Sequence, residues 1–84
     1  SVNDINAINP RWYPNPSPYF SELLCFGCNE ESTVTVINSI GKIVFKGIPE
    51  SLRSHNGIVS NGLYWIITED PSGKVSRQII EIIR

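Results

Sequence analysis

The stretch Gly62-Leu63-Tyr64-Trp65-Ile66-Ile67-Thr68 decides the fold class that the sequence predicts. Its aromatic and β-branched residues suit a pleated and largely buried strand. It is followed by Asp70-Pro71-Ser72-Gly73, with Asp first, Pro second and Gly fourth, as in a type I turn. A second apolar arm runs from Val75 to Ile83. We therefore expect a β-hairpin from Asn61 to Arg84, on which the rest of the chain packs.

The composition restricts the classes of protein to which the chain can belong. With 84 residues it forms one domain at most, and its lack of methionine with Ser1 in first place indicates a piece of a longer protein. Ile and Val dominate the apolar residues and Ala7 is the only alanine, which favours strands over helices. The net charge is -1 without a basic cluster, so no nucleic-acid partner is expected.

Three further strands are predicted before the hairpin. They are Ser21 to Phe26, Ser32 to Asn38 and Lys42 to Lys46. In the second of them Val34 and Val36 alternate with threonines, as expected of a half-buried strand. The pattern indicates about six or seven short strands without a long helix. We therefore expect an all-β fold, a small antiparallel β-sandwich over residues 12–84.

The segments before and between these strands are less regular. Ser1 to Arg11 is polar and rich in asparagine, which indicates a linker or leading arm. In the segment Trp12 to Pro18 three prolines lack a backbone donor. This segment is therefore expected to be extended and kinked, and to cover a core edge rather than form a central strand.

The segment Gly47 to Asn61 has the weakest pattern. Pro49, Gly57 and several Ser and Asn residues interrupt it, and a helix there is a second alternative, although it lacks a periodic apolar stripe. We expect a short strand near Ser54 to Val59. The apolar residues expected to plug the core from this segment are Leu52, Ile58 and Val59.

Two turns share one design. Asn38-Ser39-Ile40-Gly41-Lys42 and Asp70-Pro71-Ser72-Gly73-Lys74 each begin with a short polar side chain and have Gly fourth and Lys fifth. The first side chain can accept hydrogen bonds from turn amides, and Gly supplies a positive φ. We therefore expect the same hydrogen bonds in both turns.

Four stretches of the chain together carry a family resemblance. They are Tyr13-Pro14-Asn15-Pro16; Val36 to Val44 with Asn38, Gly41 and Lys42; Gly62 to Ile67 with Tyr64; and Gly73-Lys74-Val75 continuing through Arg77, Ile79, Ile80 and Ile82 to Arg84. In that order and spacing they resemble the type A C-terminal sorting domain of the type IX (Por) secretion system of the Bacteroidetes. The chain departs from the family in having Asn38 where Asp is common, and in its Cys25/Cys28 pair.

The resemblance implies an immunoglobulin-like sandwich of about seven strands at the end of a larger cargo protein. Such a domain is not an enzyme and needs no cofactor. It passes through the periplasm and takes its cargo to the outer membrane, the cell surface or the medium. Its implied partners are the outer-membrane shuttle and translocon, a sortase-like protease and the upstream cargo domain. The signal is expected to lie mainly in the final strands.

The Cys25-Phe26-Gly27-Cys28 sequence is a CxxC motif. A redox site of this kind needs a helix start after a strand, and the pair is predicted to lie between two strands. A zinc site needs four ligands, and only His55 could join the two cysteines. The remaining alternatives are two free thiols and a local disulfide. Passage through the periplasm favours the disulfide.

The polar residues do not form a recognisable catalytic pattern. His55 is the only histidine and has no partner in a nucleophile motif, so an exposed loop histidine is expected. The adjacent acids Glu30-Glu31 and Glu69-Asp70 lie at predicted loop ends, where solvated side chains are expected rather than a catalytic pair.

The sequence leaves open which face of the last hairpin is buried and which is exposed. Tyr64, Ile66 and Thr68 share one face of the first arm, and Leu63, Trp65 and Ile67 share the other. The resemblance places Tyr64 inside. If the other face is exposed, it forms an apolar patch of the kind that marks a docking surface or a weak homodimer contact.

Exposed aromatic side chains would fit a different class of protein. Trp12, Tyr13, Tyr64 and Trp65 could stack on sugars in a carbohydrate-binding or adhesion module. Core packing explains the same residues. Glycan binding that is lost on replacement of Trp12 or Trp65 would distinguish the two interpretations.

Overall fold

The computed structural model describes residues 10–55, 57 and 59–84. The six strands in these residues are β1 (Arg11–Tyr13), β2 (Leu24–Phe26), β3 (Thr33–Asn38), β4 (Ile43–Gly47), β5 (Gly62–Glu69) and β6 (Val75–Ile82). β1 and β2 pair with each other, and a second sheet has the strand order β4-β3-β5-β6. All these pairs are antiparallel.

The predicted all-β architecture is confirmed as two antiparallel sheets in a small sandwich-like domain. The hairpin of residues 61–84 is also confirmed, because β5 and β6 pair in continuous register from Gly62↔Ile82 to Glu69↔Val75. Arg11, which the sequence places at the end of a leading arm, is already the first residue of β1. In the described part of the chain, no helix is long and apolar enough to span a membrane.

The core lies between the larger sheet and the segments that cross one of its faces. Inward side chains alternate along each strand, as the two-residue period of a strand requires. The buried apolar residues are Val34, Val36, Tyr64, Ile66, Ile80 and Ile82 from the larger sheet, and Trp12, Phe20, Leu23 and Leu52 from the segments that cover it. Tyr64 is thus inside, and Leu63 and Trp65 are outside.

Trp12 is a core residue, whereas the sequence predicted that its segment would cover an edge of the core. It lies in the middle of β1, and its side chain is 3% exposed. Its indole Nε1 donates a hydrogen bond to the buried Thr68 Oγ1 at 3.1 Å. The prolines end β1 at Tyr13, but the residues just before them can still pair with β2.

The predicted strand from Ser21 to Phe26 is only half correct. Its first part is a 3₁₀ turn, Phe20–Glu22, and the strand is limited to Leu24–Phe26. Phe20 and Leu23 are both buried. Residues three apart lie on one side of a helical turn but on opposite faces of a strand, so the turn buries both side chains.

A short helix replaces part of the irregular segment. Helix α1 (Pro49–Arg53) has Pro in its first turn, where no backbone donor is needed, and buries Leu52. The sequence correctly identified Leu52 as a core residue, and the helix is the alternative that it favoured less than a strand. The strand predicted near Ser54 to Val59 is absent from the described residues of that segment. Val59 packs on the core, and Ile58 lies outside the described residues.

His55 is half-buried rather than exposed. Its ring centroid lies 5.5 Å from that of Phe20 and 6.0 Å from that of Phe45. The histidine follows the C-terminal end of α1 and packs against these two aromatic side chains. The prediction that it has no catalytic partner was made from motifs, whereas its burial depends on contacts between distant segments.

Candidate functional site

The outer edge of β6 carries the main candidate site. In an antiparallel strand, the backbone groups of alternate residues point to the same side. The even-numbered residues of β6 turn their backbone groups to β5, so those of Ile79 and Glu81 point to the sheet edge. Residues 12–17 lie along this edge and occupy it.

Asn15 supplies the first part of this contact. Its side-chain Nδ2 donates to the Ile79 carbonyl at 2.9 Å, and its Oδ1 accepts from the Glu81 amide at 2.9 Å. The primary amide therefore presents a donor and an acceptor as a neighbouring strand would. Pro14 and Pro16 have no backbone N–H, so the Asn15 side chain supplies the hydrogen-bond donor that these neighbours lack.

Ser17 supplies the second part. Its backbone N–H, between Pro16 and Pro18, donates to the Glu81 carbonyl at 2.9 Å, and its carbonyl accepts from the Ile83 amide at 3.0 Å. The buried Ser17 forms an isolated parallel bridge with Ile82. This pairing continues the contact by Asn15 toward the end of the chain.

Gln78 makes a third contact, in which the side chain belongs to β6 and the backbone groups belong to β1. Its Oε1 accepts from the Trp12 backbone N–H at 2.8 Å, and its Nε2 donates to the Trp12 carbonyl at 2.8 Å. A side-chain amide from β6 thus pairs with the backbone of β1. This contact links the two sheets of the sandwich.

We call the contacts of Trp12, Asn15 and Ser17 with residues 78–83 the terminal clamp. It comprises six hydrogen bonds between segments more than 60 positions apart in sequence. The clamp limits the addition of a further strand at the outer edge of β6. Over residues 79–83 that edge is already paired.

The structure places the other predicted site residues in two groups. Gly62 and the turn after Asn38 lie at the end of the larger sheet where β6 finishes, whereas Gly73 and Lys74 lie at its opposite end. Eight residues of β5 separate the two ends by about 25 Å. The motifs therefore form one group around the clamp and a separate distal turn.

The last residue joins the first group. The Arg84 backbone N–H donates to Asn61 Oδ1 at 3.2 Å, and its guanidinium lies 5.6 Å from the centroid of the Tyr19 ring. Tyr64, inside the sheet, donates its hydroxyl to the Ser60 carbonyl at 2.7 Å. The end of the chain is thus held by several segments.

The two turns have the hydrogen bonds that the sequence predicts. Asn38 Oδ1 accepts from the amides of Ile40 and Lys42, and Asp70 Oδ1 accepts from those of Ser72 and Lys74. Their glycines, at positions 41 and 73, have φ values of 89° and 93°. The shared turn chemistry is confirmed, because Asn38 accepts the same two amide hydrogen bonds as Asp70.

Asp70 differs from Asn38 in carrying a titratable group. Hydrogen bonds from the Ser72 hydroxyl and the Lys74 amide, with the nearby Lys74 charge, hold the pKa of the Asp70 carboxyl below its ordinary value. A lowered folded-state pKa contributes stability above the unfolded-state pKa of about 3.9, and this contribution is lost as the pH falls through the folded-state pKa.

Replacing Asp70 with Asn should therefore make stability less dependent on pH. At pH 7 the Asp70→Asn variant should retain the turn, because Asn38 already supports the same geometry. Urea unfolding from pH 6 to pH 3 should show a smaller acid loss for the variant than for the parent chain. An equal loss in both proteins would show that this carboxylate contributes no acid dependence.

Cys25 and Cys28 are joined by a disulfide, with their Cα atoms 5.7 Å apart. The bond closes the loop that follows β2 and borders a groove of about 680 Å³ between this loop and α1. Tyr13, Glu50 and Arg53 also line the groove. The described residues hold no group of three His, Cys, Asp or Glu side chains arranged for a metal.

The aromatic residues do not form a common sugar-binding platform. Trp12 and Tyr64 are in the core, so only Tyr13 and Trp65 of the four candidates are exposed. Trp65 lies on the outer face of the larger sheet and Tyr13 on the covering segment. Apolar residues surround Trp65 on neighbouring strands, which suits a protein contact better than a polar sugar.

Sequence reasoning missed Ser17, Gln78 and Thr68. These residues carry the clamp and the indole hydrogen bond, but each is a common polar residue without a motif of its own. One signal was available: Ser17 has the only backbone donor between Pro16 and Pro18. Its proline neighbours disfavour regular helix or sheet pairing, so this amide needs a partner from another segment when it is buried.

The contribution of Asn15 can be measured directly. Asn15→Ala removes two of the clamp's hydrogen bonds at a solvent-accessible edge, and we expect the free energy of unfolding to fall by about 1–2 kcal/mol. Ser39→Ala, in an exposed turn position, is the matched control and should change it by less than about 0.5 kcal/mol. Equal unfolding midpoints in urea for parent and Asn15→Ala would contradict this role.

Comparison with protein-family models, with curated proteins and with solved structures finds no match for this chain.

Proposed function

We propose that the domain is a non-catalytic signal that directs a larger cargo protein through a type IX secretion system. The observation that carries the proposal is the terminal clamp. The first and last motifs of the resemblance, Tyr13-Pro14-Asn15-Pro16 and the terminal strand, lie far apart in sequence and are joined by hydrogen bonds in the fold. This contact supports the interpretation of these motifs as parts of one signal.

The clamp gives the signal a defined shape. Tyr13, Pro14 and Pro16 have exposed side chains beside β6, whose outward residues include Arg77 and Ile79. A partner that reads this surface contacts both ends of the domain at once. It therefore binds only a chain whose terminal strand is complete and folded.

The proposed partners follow from the resemblance. They are an outer-membrane shuttle and translocon and a sortase-like protease, with the cargo domain upstream of this one. The domain would act in the periplasm during transit and then at the outer membrane, the cell surface or in the medium. Since the clamp already pairs residues 79–83, we propose recognition of side chains and shape rather than addition of a strand at that part of the edge.

A fusion experiment tests this function. The 84-residue segment is attached to a foreign periplasmic protein in a Bacteroidetes host, and the exported fraction is measured in the medium and on the cell surface. We expect export of the parent fusion, and its loss when residues 75–84 are deleted. If that deletion leaves export unchanged, the proposal fails.

Side-chain variants separate recognition from folding. Tyr13→Ser and Arg77→Ser alter exposed residues near the clamp, and Ile40→Ser alters an exposed residue in the turn between β3 and β4. All three should fold with little change in unfolding midpoint. We expect lower export for the first two fusions and parental export for Ile40→Ser; equal export of all three would contradict recognition at the clamp.

A further inference from the structure

An apolar row crosses the outer face of the larger sheet. The strand register places Ile43, Ile37, Trp65 and Ile79 side by side on β4, β3, β5 and β6. Ile43, Trp65 and Ile79 are 54%, 44% and 46% exposed. No described segment covers this row, so the face has the character of an interaction surface.

The outward residues of β6 repeat in a self-complementary order. Along the strand they are Val75, Arg77, Ile79, Glu81 and then Ile83 beyond its end. When this order is superposed on its own reverse, every apolar residue lies opposite an apolar residue, and Arg77 and Glu81 lie opposite each other. The centre of this order is Ile79, which belongs to the apolar row.

The adjacent strand has the same symmetry. Leu63 and Ile67 flank Trp65 at equal distances on the outward face of β5, and Trp65 pairs in register with Ile79. A two-fold axis along the apolar row would therefore place Trp65 near its counterpart and Leu63 near the counterpart of Ile67.

We propose that this face binds a second copy of the same chain, sheet against sheet, about a two-fold axis along the apolar row. Packed sheets keep their strands within about 30° of alignment, so the β6 strands of the two copies run nearly antiparallel. Arg77 of each copy then faces Glu81 of the other, and the symmetry forms this ion pair twice. The inference is independent of the secretion function proposed above.

The size of the face sets the strength of this association. Four strands about 4.8 Å apart and about six residues long give a face of roughly 400 Å² per copy. A standard specific interface buries about 800 Å² per partner. The dimer is therefore expected to be weak and concentration-dependent, forming where the local concentration is high. Pairing through the β6 edge is not available over residues 79–83, because the terminal clamp occupies it.

Charge exchange tests the proposed geometry. Sedimentation velocity is run on the 84-residue chain from low micromolar to millimolar concentration, for the parent, Arg77→Glu, Glu81→Arg and the double variant. Each single variant places like charges opposite each other twice, so we expect at least a tenfold loss in the association constant. The double variant restores both pairs and should recover association to within about threefold of the parent.

A charge control and a folding check accompany these variants. Arg53→Glu makes the same charge change as Arg77→Glu at an exposed position of helix α1, away from the apolar row, and should leave association unchanged. Far-UV circular dichroism verifies that each variant is folded. A parent chain that stays monomeric throughout, single variants that associate as the parent does, or a double variant that is not restored would each overturn the proposal.

Discussion

Replacing Trp12 with Ala is expected to lower the free energy of unfolding by about 3–5 kcal/mol, the typical loss for a large buried aromatic side chain. The indole is 3% exposed and packs in the core between the sheets. Its removal also leaves the buried Thr68 hydroxyl without its indole donor. Small domains are stable by about 5–15 kcal/mol in total, so this one change should remove much of the stability.

A double-mutant cycle separates the hydrogen bond from the packing. Trp12→Phe keeps most of the apolar surface but removes the donor, and Thr68→Val removes the acceptor and leaves the indole N–H buried. We expect each to cost about 1–3 kcal/mol. The combination should cost less than the sum, because no unpaired polar group then remains.

The measurement is urea unfolding followed by tryptophan fluorescence and by circular dichroism. For Trp12 variants, the remaining Trp65 still reports on the larger sheet. Additive effects in the cycle would show that the indole and the Thr68 hydroxyl do not stabilise each other. A loss below about 1 kcal/mol for Trp12→Ala would contradict its position in the core.

Replacing Ile82 with Ala should cost about 2–5 kcal/mol, whereas the same change at Ile83 should cost less than about 0.5 kcal/mol. These neighbours have the same side chain, but Ile82 is fully buried and Ile83 is 48% exposed. Both variants keep the backbone, so the bond from the Ile83 amide to Ser17 remains. The difference therefore measures burial of one isoleucine at the end of the chain.

Ile80 and Ile79 repeat this comparison earlier in β6. Ile80 is fully buried and Ile79 is 46% exposed, so the same ranking should hold. Thermal unfolding monitored by circular dichroism is sufficient, because about 1 kcal/mol shifts the midpoint of a domain of this size by several degrees. Equal midpoints for Ile79→Ala and Ile80→Ala would contradict the assigned inner and outer faces.

The exposed isoleucines also connect stability to the proposed secretion function. Ile79→Ala and Ile83→Ala should fold as the parent does, so a loss of export in the fusion experiment would report recognition. Ile82→Ala should impair export by destabilising the domain. The contrast distinguishes a signal that is read from a signal that merely has to fold.

Local patterns predicted the fold class and much of the hairpin. Alternating residues in β3 and β5 have a period of two, and the Asp70 turn has residues that favour its own geometry. Both signals act over a few residues, so they can be read from sequence. The CxxC spacing of Cys25 and Cys28 is also local, and it permits the disulfide that the structure contains.

Other features depended on contacts between distant residues. The 3₁₀ turn at Phe20–Glu22 and the helix Pro49–Arg53 form because Phe20, Leu23 and Leu52 must all reach one core. His55 is half-buried because aromatic residues from two other segments contact it. A short segment does not reveal such partners, and tertiary packing overrides its weak local preference.

Strand periodicity and turn chemistry are local, so they predict an all-β domain with a regular apolar hairpin over residues 61–84 without knowledge of the fold. The core face of that hairpin and the contacts of Asn15 and Ser17 with its last strand are seen only once the chain is folded. Both outcomes depend on which segments meet across the sandwich. An alternating strand offers two faces and an open edge, and only its neighbours determine which of these are covered.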